Sequence, residues 1–312
     1  MRAFSLIIFI ICFIGISFGQ KYESPGEYNN FILSEQNKLL KKILEYNNTI
    51  ANANFEESNL KRTEIIYQIN FSLERLNAME TFKGDAKLKE SSIEVFRQYK
   101  ETYDIEFNEV NKLRKDRETS FEAMKNYTYA LDKAEEKLKD AGEKFYKAQT
   151  EFAKKYKITI VTNSLQVMLE DQWKLNRHIR NVHLEFFRVY KADELFMNAM
   201  NNQDVESMEK RRVEIIKSAE ASLANLKNIP TYRNDTVFAS IALKLVLFHK
   251  RIAEKEYSEL VKVLMKKEAM TNEDINHFNT IASQVNSQAQ RMLTEFNTEK
   301  REIMRRHAVL AE

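Results

Sequence analysis

A stretch of this chain recurs without a gap: residues 62–110 lie over 212–260 across 49 positions with twelve identities, where typical residue frequencies give about three by chance. Whatever the first copy folds into, the second must fold into as well. The matches include Glu64-Ile65-Ile66 over Glu214-Ile215-Ile216, Ser72-Leu73 over Ser222-Leu223, Leu76 over Leu226, and Glu106-Phe107-x-Glu109 over Glu256-Tyr257-x-Glu259. At the centre, Thr81-Phe82-Lys83-Gly84-Asp85 is answered by Thr231-Tyr232-Arg233-Asn234-Asp235. Further on, the register continues with one extra residue in the second copy, placing Phe145 on Phe296, Phe152 on Ile303 and Lys154-Lys155-Tyr156 on Arg305-Arg306-His307. Before it, a looser match sets Tyr28-Asn29 on Leu175-Asn176. The pattern reads as one unit written twice.

That unit is helical. Five glycines and two prolines in 312 residues leave few positions where a helix would be broken. Tyr28, Phe31, Ile32, Leu39, Leu40 and Ile43 recur at helical steps, with the Asn-rich stretch 47–54 read as their end. Ile66, Ile69, Leu73 and Leu76 mark a second helix. Leu88, Ser92, Val95 or Phe96, Tyr99, Tyr103, Phe107 and Val110 mark a third. Leu131, Ala134, Leu138, Ala141, Phe145, Ala148 and Phe152 form a sustained seam of the bundle type, entered through a capping-box pattern at Thr119-x-x-Glu122. Gly142 inside that seam predicts close packing against a neighbour. Ile158-Thr159-Ile160-Val161-Thr162 reads as an extended connector, and 165–200 as one long helix holding Trp173. The fold class expected is therefore all-α, two tandem four-helix up-down bundle units: residues 20–158 and 164–312, joined by 159–163.

The shared turn has a physical reading of its own. Gly84 and Asn234 are residue types that tolerate a left-handed backbone, so positive φ is expected there. Asp85 and Asp235 are then placed as N-caps of the third helix, and Phe82 and Tyr232 as apolar pins for the loop.

Residues 1–19 carry Arg2, an apolar run from Leu6 to Ile16, and small residues at Ser17 and Gly19, the pattern of a cleaved signal peptide. The run is shorter than the ~20 residues a membrane span needs, so no transmembrane segment is expected after cleavage. Cys12, inside the run, is preceded by bulky Ile11, against a lipidated cysteine. With it removed no thiol remains, which excludes disulfides and thiol chemistry.

Forty-nine basic against 46 acidic residues, interspersed, give no basic patch for nucleic acid. All five histidines, His178, His183, His249, His277 and His307, fall in the second unit, and three replace aromatics of the first: His178 for Phe31, His249 for Tyr99, His307 for Tyr156. Asp274-x-x-His277 alone has the acid–histidine spacing of a di-iron bundle, without the further ligands such a site needs. No catalytic, cofactor-binding or metal residue is assigned, and no cofactor. Asn47, Asn70, Asn126 and Asn234 head N-glycosylation patterns, and Asp235-Thr236-Val237 matches a bacteroidete O-glycosylation signal at the turn.

Glu27-Tyr28-Asn29-Asn30-Phe31-Ile32 with Glu35-Gln36-Asn37, then Thr81-Phe82-Lys83-Gly84-Asp85, then Ala148-Gln149-x-x-Phe152-Ala153-x-x-Tyr156 span the first unit. These motifs resemble an uncharacterised family of exported surface proteins of spirochaetes and Bacteroidetes. The resemblance implies an exported, all-helical protein and supplies no activity. The function expected is non-catalytic: a binding or structural component of the cell envelope, periplasmic or at the surface, with an unknown protein partner. The alternative is a carrier holding a small apolar ligand between bundle helices.

Overall fold

Helix follows helix through the whole computed structural model, which describes residues 22–51 and 55–307. The leader read over 1–19, with Cys12, lies outside these. The helices are α1 (Pro25–Ala51), α2 (Phe55–Ala78), α3 (Lys87–Glu101), α4 (Phe107–Arg114), α5 (Phe121–Tyr156), α6 (Ser164–Asn201), α7 (Val205–Leu226), α8 (Val237–Glu254), α9 (Glu256–Met265) and α10 (Asn272–Arg306). A π-turn, Thr102–Glu106, joins α3 to α4. The class is all-α, and no strand occurs among the described residues.

Side-chain bonds between helices set their directions. Lys61 at the start of α2 meets Glu45 near the end of α1, while Ser72 later in α2 meets Glu35 earlier in α1, so the two run antiparallel. Lys144 bonding Gln98 and Lys87 bonding Glu151 set α5 antiparallel to α3 in the same way. Short connections dictate this arrangement.

The apolar seams form two cores. The first gathers Tyr28, Ile32, Leu39, Phe96, Tyr103, Leu138, Phe145 and Phe152; the second gathers Val182, Val189, Phe196, Ile215, Phe238, Leu245, Phe296 and Ile303. Helix α6 serves both. Its Leu169, Trp173 and Phe187 belong to the first core, and its Leu175, Ile179, Val182 and Phe186 to the second. The segment 158–163 before it carries neither helix nor strand.

Several local readings are corrected. Helix α1 ends at Ala51, within the Asn-rich stretch read as its end, although Asn47 itself is buried, its amide donating to Gln172 of α6 at 3.0 Å. On α2 the fully buried positions are Ser58, Ile65, Ile69, Ser72 and Leu76, so its inner face is rotated from the Ile66–Leu73 reading, and Ile66 and Leu73 pack at its margin. The cap of α5 is Ser120, whose hydroxyl accepts from Ala123 N–H at 3.1 Å. Thr119 instead donates to the Asp116 carbonyl. The reciprocal capping box stands at α10, between Thr271 and Asp274. Gly142 does face a neighbour: a Cβ there would lie 3.0 Å from Nε2 of Gln166 on α6.

The first helices of the two units correspond with the spacing of 150 that holds over 62–110, three residues away from the Tyr28–Leu175 match. Glu35 pairs with Ser72, and Glu185 with Ser222. Tyr46 packs on Phe107, and Phe196 on Tyr257. The third helix is interrupted at one register in both units, by the π-turn 102–106 and at Lys255 (φ −113°, ψ −80°) between α8 and α9. An arginine from the preceding helix serves each break: Arg62 donates to the Tyr103 carbonyl at 3.1 Å, and Arg212 to the Ala253 carbonyl at 3.0 Å.

Candidate ligand-binding site

The recurring turn is a two-residue β-type hairpin loop. Asp85 N–H donates to the Phe82 carbonyl at 2.9 Å, and Asp235 N–H to the Tyr232 carbonyl at 2.8 Å. Gly84 has φ 79° and Asn234 φ 62°, the positive values expected of them. Lys83 (φ 51°) and Arg233 (φ 48°) are left-handed too, which makes both loops type I′. Phe82 and Tyr232 are buried beneath them. The helix N-caps, however, are Ala86 and Thr236. Each aspartate spends one oxygen on the N–H two residues ahead, Lys87 or Val237, at 3.0 Å.

The other oxygen ties the loop to the fourth helix. Asp85 Oδ2 receives Lys155 at 2.6 Å and the Tyr156 hydroxyl at 3.1 Å; Asp235 Oδ2 receives Arg306 at 2.7 Å and lies 3.0 Å from His307 Nε2. Phe82 meets Tyr156 edge-on at 5.0 Å, and Tyr232 meets His307 edge-on at 5.1 Å. The Lys155 ammonium, with Lys87 N–H and Tyr156, holds Asp85 below its ordinary carboxylate value despite burial. Burial alone would raise Asp235, but Arg306, His307 and Val237 N–H outweigh it and hold the carboxyl below its ordinary value. These are fasteners of architecture, with both oxygens of each aspartate engaged.

The histidines scatter. His178 Nδ1 lies 2.9 Å from the Pro230 carbonyl, and His249 Nδ1 lies 3.4 Å from Asp193, which also accepts from the Tyr257 hydroxyl at 2.8 Å. His277, mostly exposed, is 3.5 Å from Glu259. By the 150 spacing His178 stands over Tyr28 and not Phe31, and so still occupies an aromatic place, as do His249 over Tyr99 and, with the extra residue, His307 over Tyr156. Among the described residues no group of three His, Cys, Asp or Glu comes together to hold a metal ion. Asn47, buried and bonded, is no glycan acceptor; Asn126, Asn234 and Thr236 are exposed.

His183 has a different setting. A cavity of about 170 Å³ lies along α6 where the two units meet. Phe107, Met124, Leu131 and Ile179 supply apolar wall from one side, and Met304 of α10 from the other. Arg180, also in the lining, is fully compensated: both oxygens of Glu135 take its guanidinium at 2.9 and 2.6 Å, and Asp132 takes it at 2.5 Å. Arg117 donates to Glu118 at 3.2 Å and sits over the Tyr127 ring.

Two lining groups have no such complement. Among the described residues neither Lys300 Nζ nor the His183 ring has a hydrogen-bond or ion-pair partner; the imidazole only stacks, on Phe187 and Phe296. Burial, with the charges of Lys300 and Arg117, pushes His183 down to about 3. Burial and Arg117 likewise lower Lys300, against the opposing charge of Glu118. A half-buried ammonium that no described carboxylate reaches at ion-pair distance leaves room for an anion.

No family model, curated protein or solved structure matches this chain. The reading of the site therefore rests on its own geometry. No helix among the described residues is long and apolar enough to cross a membrane. Neither the cavity nor Lys300 was singled out from the sequence. The signal was there only in part: a lysine on the α10 seam three residues before Ile303, at a position where the seam turns inward.

Proposed function

We propose that this chain is an exported, non-catalytic binding protein of the cell envelope that carries a small apolar-bodied molecule between its two units. The observation that carries the reading is the cavity along α6, whose apolar wall is drawn from α4, α5, α6 and α10 together. Convergent polar groups at one end of an apolar cleft are the usual form of a small-molecule site. Of the two roles raised by the sequence, carrier and interaction component, the cavity favours the carrier. Export rests on the 1–19 pattern and on the resemblance to exported surface proteins.

The test is extraction. Protein purified from its native envelope, denatured and analysed by mass spectrometry, is expected to release one small molecule per chain, and a cavity-filling Leu131→Trp variant to release none. Edman sequencing is expected to begin at Gln20. Native protein that releases nothing, and that no small apolar compound stabilises against heat, overturns the carrier reading in favour of an interaction component.

A further inference from the structure

Three features of the cavity, taken together, narrow what it holds. The first is charge. Of its cationic lining groups, Arg180 is paired with both oxygens of Glu135 and with Asp132, and Arg117 is engaged by Glu118. Lys300 alone brings an ammonium with no hydrogen-bond acceptor among the described residues; Arg117 adds to the positive field around it and Glu118 subtracts from it. The second is the neighbouring imidazole. His183 is neutral across the physiological range, so one ring nitrogen carries a proton that no described residue accepts. An ammonium and a neutral N–H, both half-buried at one wall, make two donors for one small acceptor group.

The third feature is size. A cavity of about 150 Å³ lined by aliphatic and aromatic side chains is known to admit benzene; the present one is about 170 Å³. A two-chain lipid does not fit that space, whereas a single ring or a short aliphatic chain does. The donor count argues in the same direction. A dianionic phosphate draws on bidentate guanidinium or clustered backbone N–H groups, and the guanidiniums here are taken.

We infer that the molecule held between the units is a small monocarboxylic acid, a single ring or short chain in the apolar part of the cavity, with its carboxylate on Lys300 and the His183 N–H. This rests on the carrier reading and names its ligand class.

Isothermal titration of the mature chain with phenylacetate, its neutral isostere phenylacetamide, hexanoate and hexanamide tests it. The acids are expected to bind at least roughly tenfold more tightly than their amides. Lys300→Met is expected to weaken acid binding by roughly 10- to 100-fold, the worth of a charge-assisted hydrogen bond, and to weaken amide binding by less. Lys300→Gln guards against a packing effect of methionine and is expected to behave the same way. Cooperative thermal melts establish that both variants fold. Amides binding as tightly as acids, or Lys300→Met keeping full acid affinity, overturns the carboxylate assignment and leaves the carrier standing. Binding of neither acids nor amides, together with native protein that yields no extractable molecule, removes both.

Discussion

Ser72 donates its hydroxyl to Glu35 at 2.8 Å, and 150 positions later Ser222 donates to the backbone carbonyl of Glu185 at the same distance. Glu35 is fully buried, and it also takes Arg75 at 3.0 Å and Lys38 at 2.7 Å. In the second unit Arg188 and Asn225 stand where Lys38 and Arg75 do, bonding Glu185 at 3.3 and 3.1 Å. A buried carboxylate thus joins the first two helices of each unit, satisfied from both.

Removing one member of such a cluster leaves the rest unsatisfied. Arg75→Met is expected to destabilise the protein by about 3 kcal/mol, because a buried carboxylate loses a charge partner. Ser72→Ala is expected to cost about 1 kcal/mol, the worth of one hydrogen bond. Urea unfolding midpoints at constant m-value read both, and a smaller loss for Arg75→Met than for Ser72→Ala contradicts the account.

The type I′ turn makes a sharper comparison. Gly84 at φ 79° has nothing within 4 Å of an added Cβ, so backbone conformation alone decides the outcome. Gly84→Val is expected to destabilise by about 1–3 kcal/mol, while Gly84→Asn, the residue type found at 234, is nearly silent. Equal melting temperatures for the two variants would refute the assignment.

Acid should weaken the fold in two stages. The unfolded chain protonates histidine near 6.5, whereas folded His183 stays neutral down to about 3. The unfolded state therefore binds more protons as pH falls below 6.5, and stability drops by up to about 1.4 kcal/mol per pH unit for this group. His178, lowered by burial against the pull of the Pro230 carbonyl, acts with the same sign. Asp85, held below 3.8, gives stability that is present above 3.8 and lost as pH falls through its lower folded value. His183→Phe is expected to flatten the first stage and Asp85→Asn the second, read from urea midpoints at successive pH values. An unchanged slope between pH 6.5 and 5 in His183→Phe contradicts the burial of that ring.

Between α5 and α6, Arg180 grips Glu135 and Asp132, and burial raises the Glu135 carboxyl against the pull of that guanidinium. Arg180→Met alone is expected to cost roughly 3–5 kcal/mol. Adding Glu135→Met and Asp132→Leu should recover most of that loss, since a hydrophobic replacement of the whole cluster strands no charge. A triple variant less stable than the single one overturns this.

The parts of the fold written as periodic apolar steps were readable, because burial on a helix recurs at a fixed interval whatever else the chain does. The seam from Leu131 to Phe152 is buried as its spacing predicts. Left-handed Gly84 and Asn234 were readable from residue type, but their partners Lys83 and Arg233 were not, since lysine and arginine have no preference for that conformation and the tight loop imposes it. The first-helix register was misjudged for a related reason. Its alignment leaned on matching Asn29 with Asn176, whereas the correspondence is held by Glu35 and Glu185, polar residues whose burial depends on a partner 37 positions away. The repeated identities acquire causes in the same way: Arg62 and Arg212 meet the break in the third helix, and Asp85 and Asp235 fasten the turn. The cavity was out of reach altogether, because its walls come from helices brought together only by the sharing of α6.

That shared helix also governs the order of assembly. A chain is made from its N-terminus, and domains ordinarily close as each is completed. Here the first core lacks Leu169, Trp173 and Phe187 until α6 has been delivered, by which time that helix already presents Leu175, Ile179 and Val182 to a second core not yet synthesised. The newborn first half must therefore wait, with half of α6 uncovered, for the second half to arrive. In such a chain a helper that shields apolar surface has one obvious place to act.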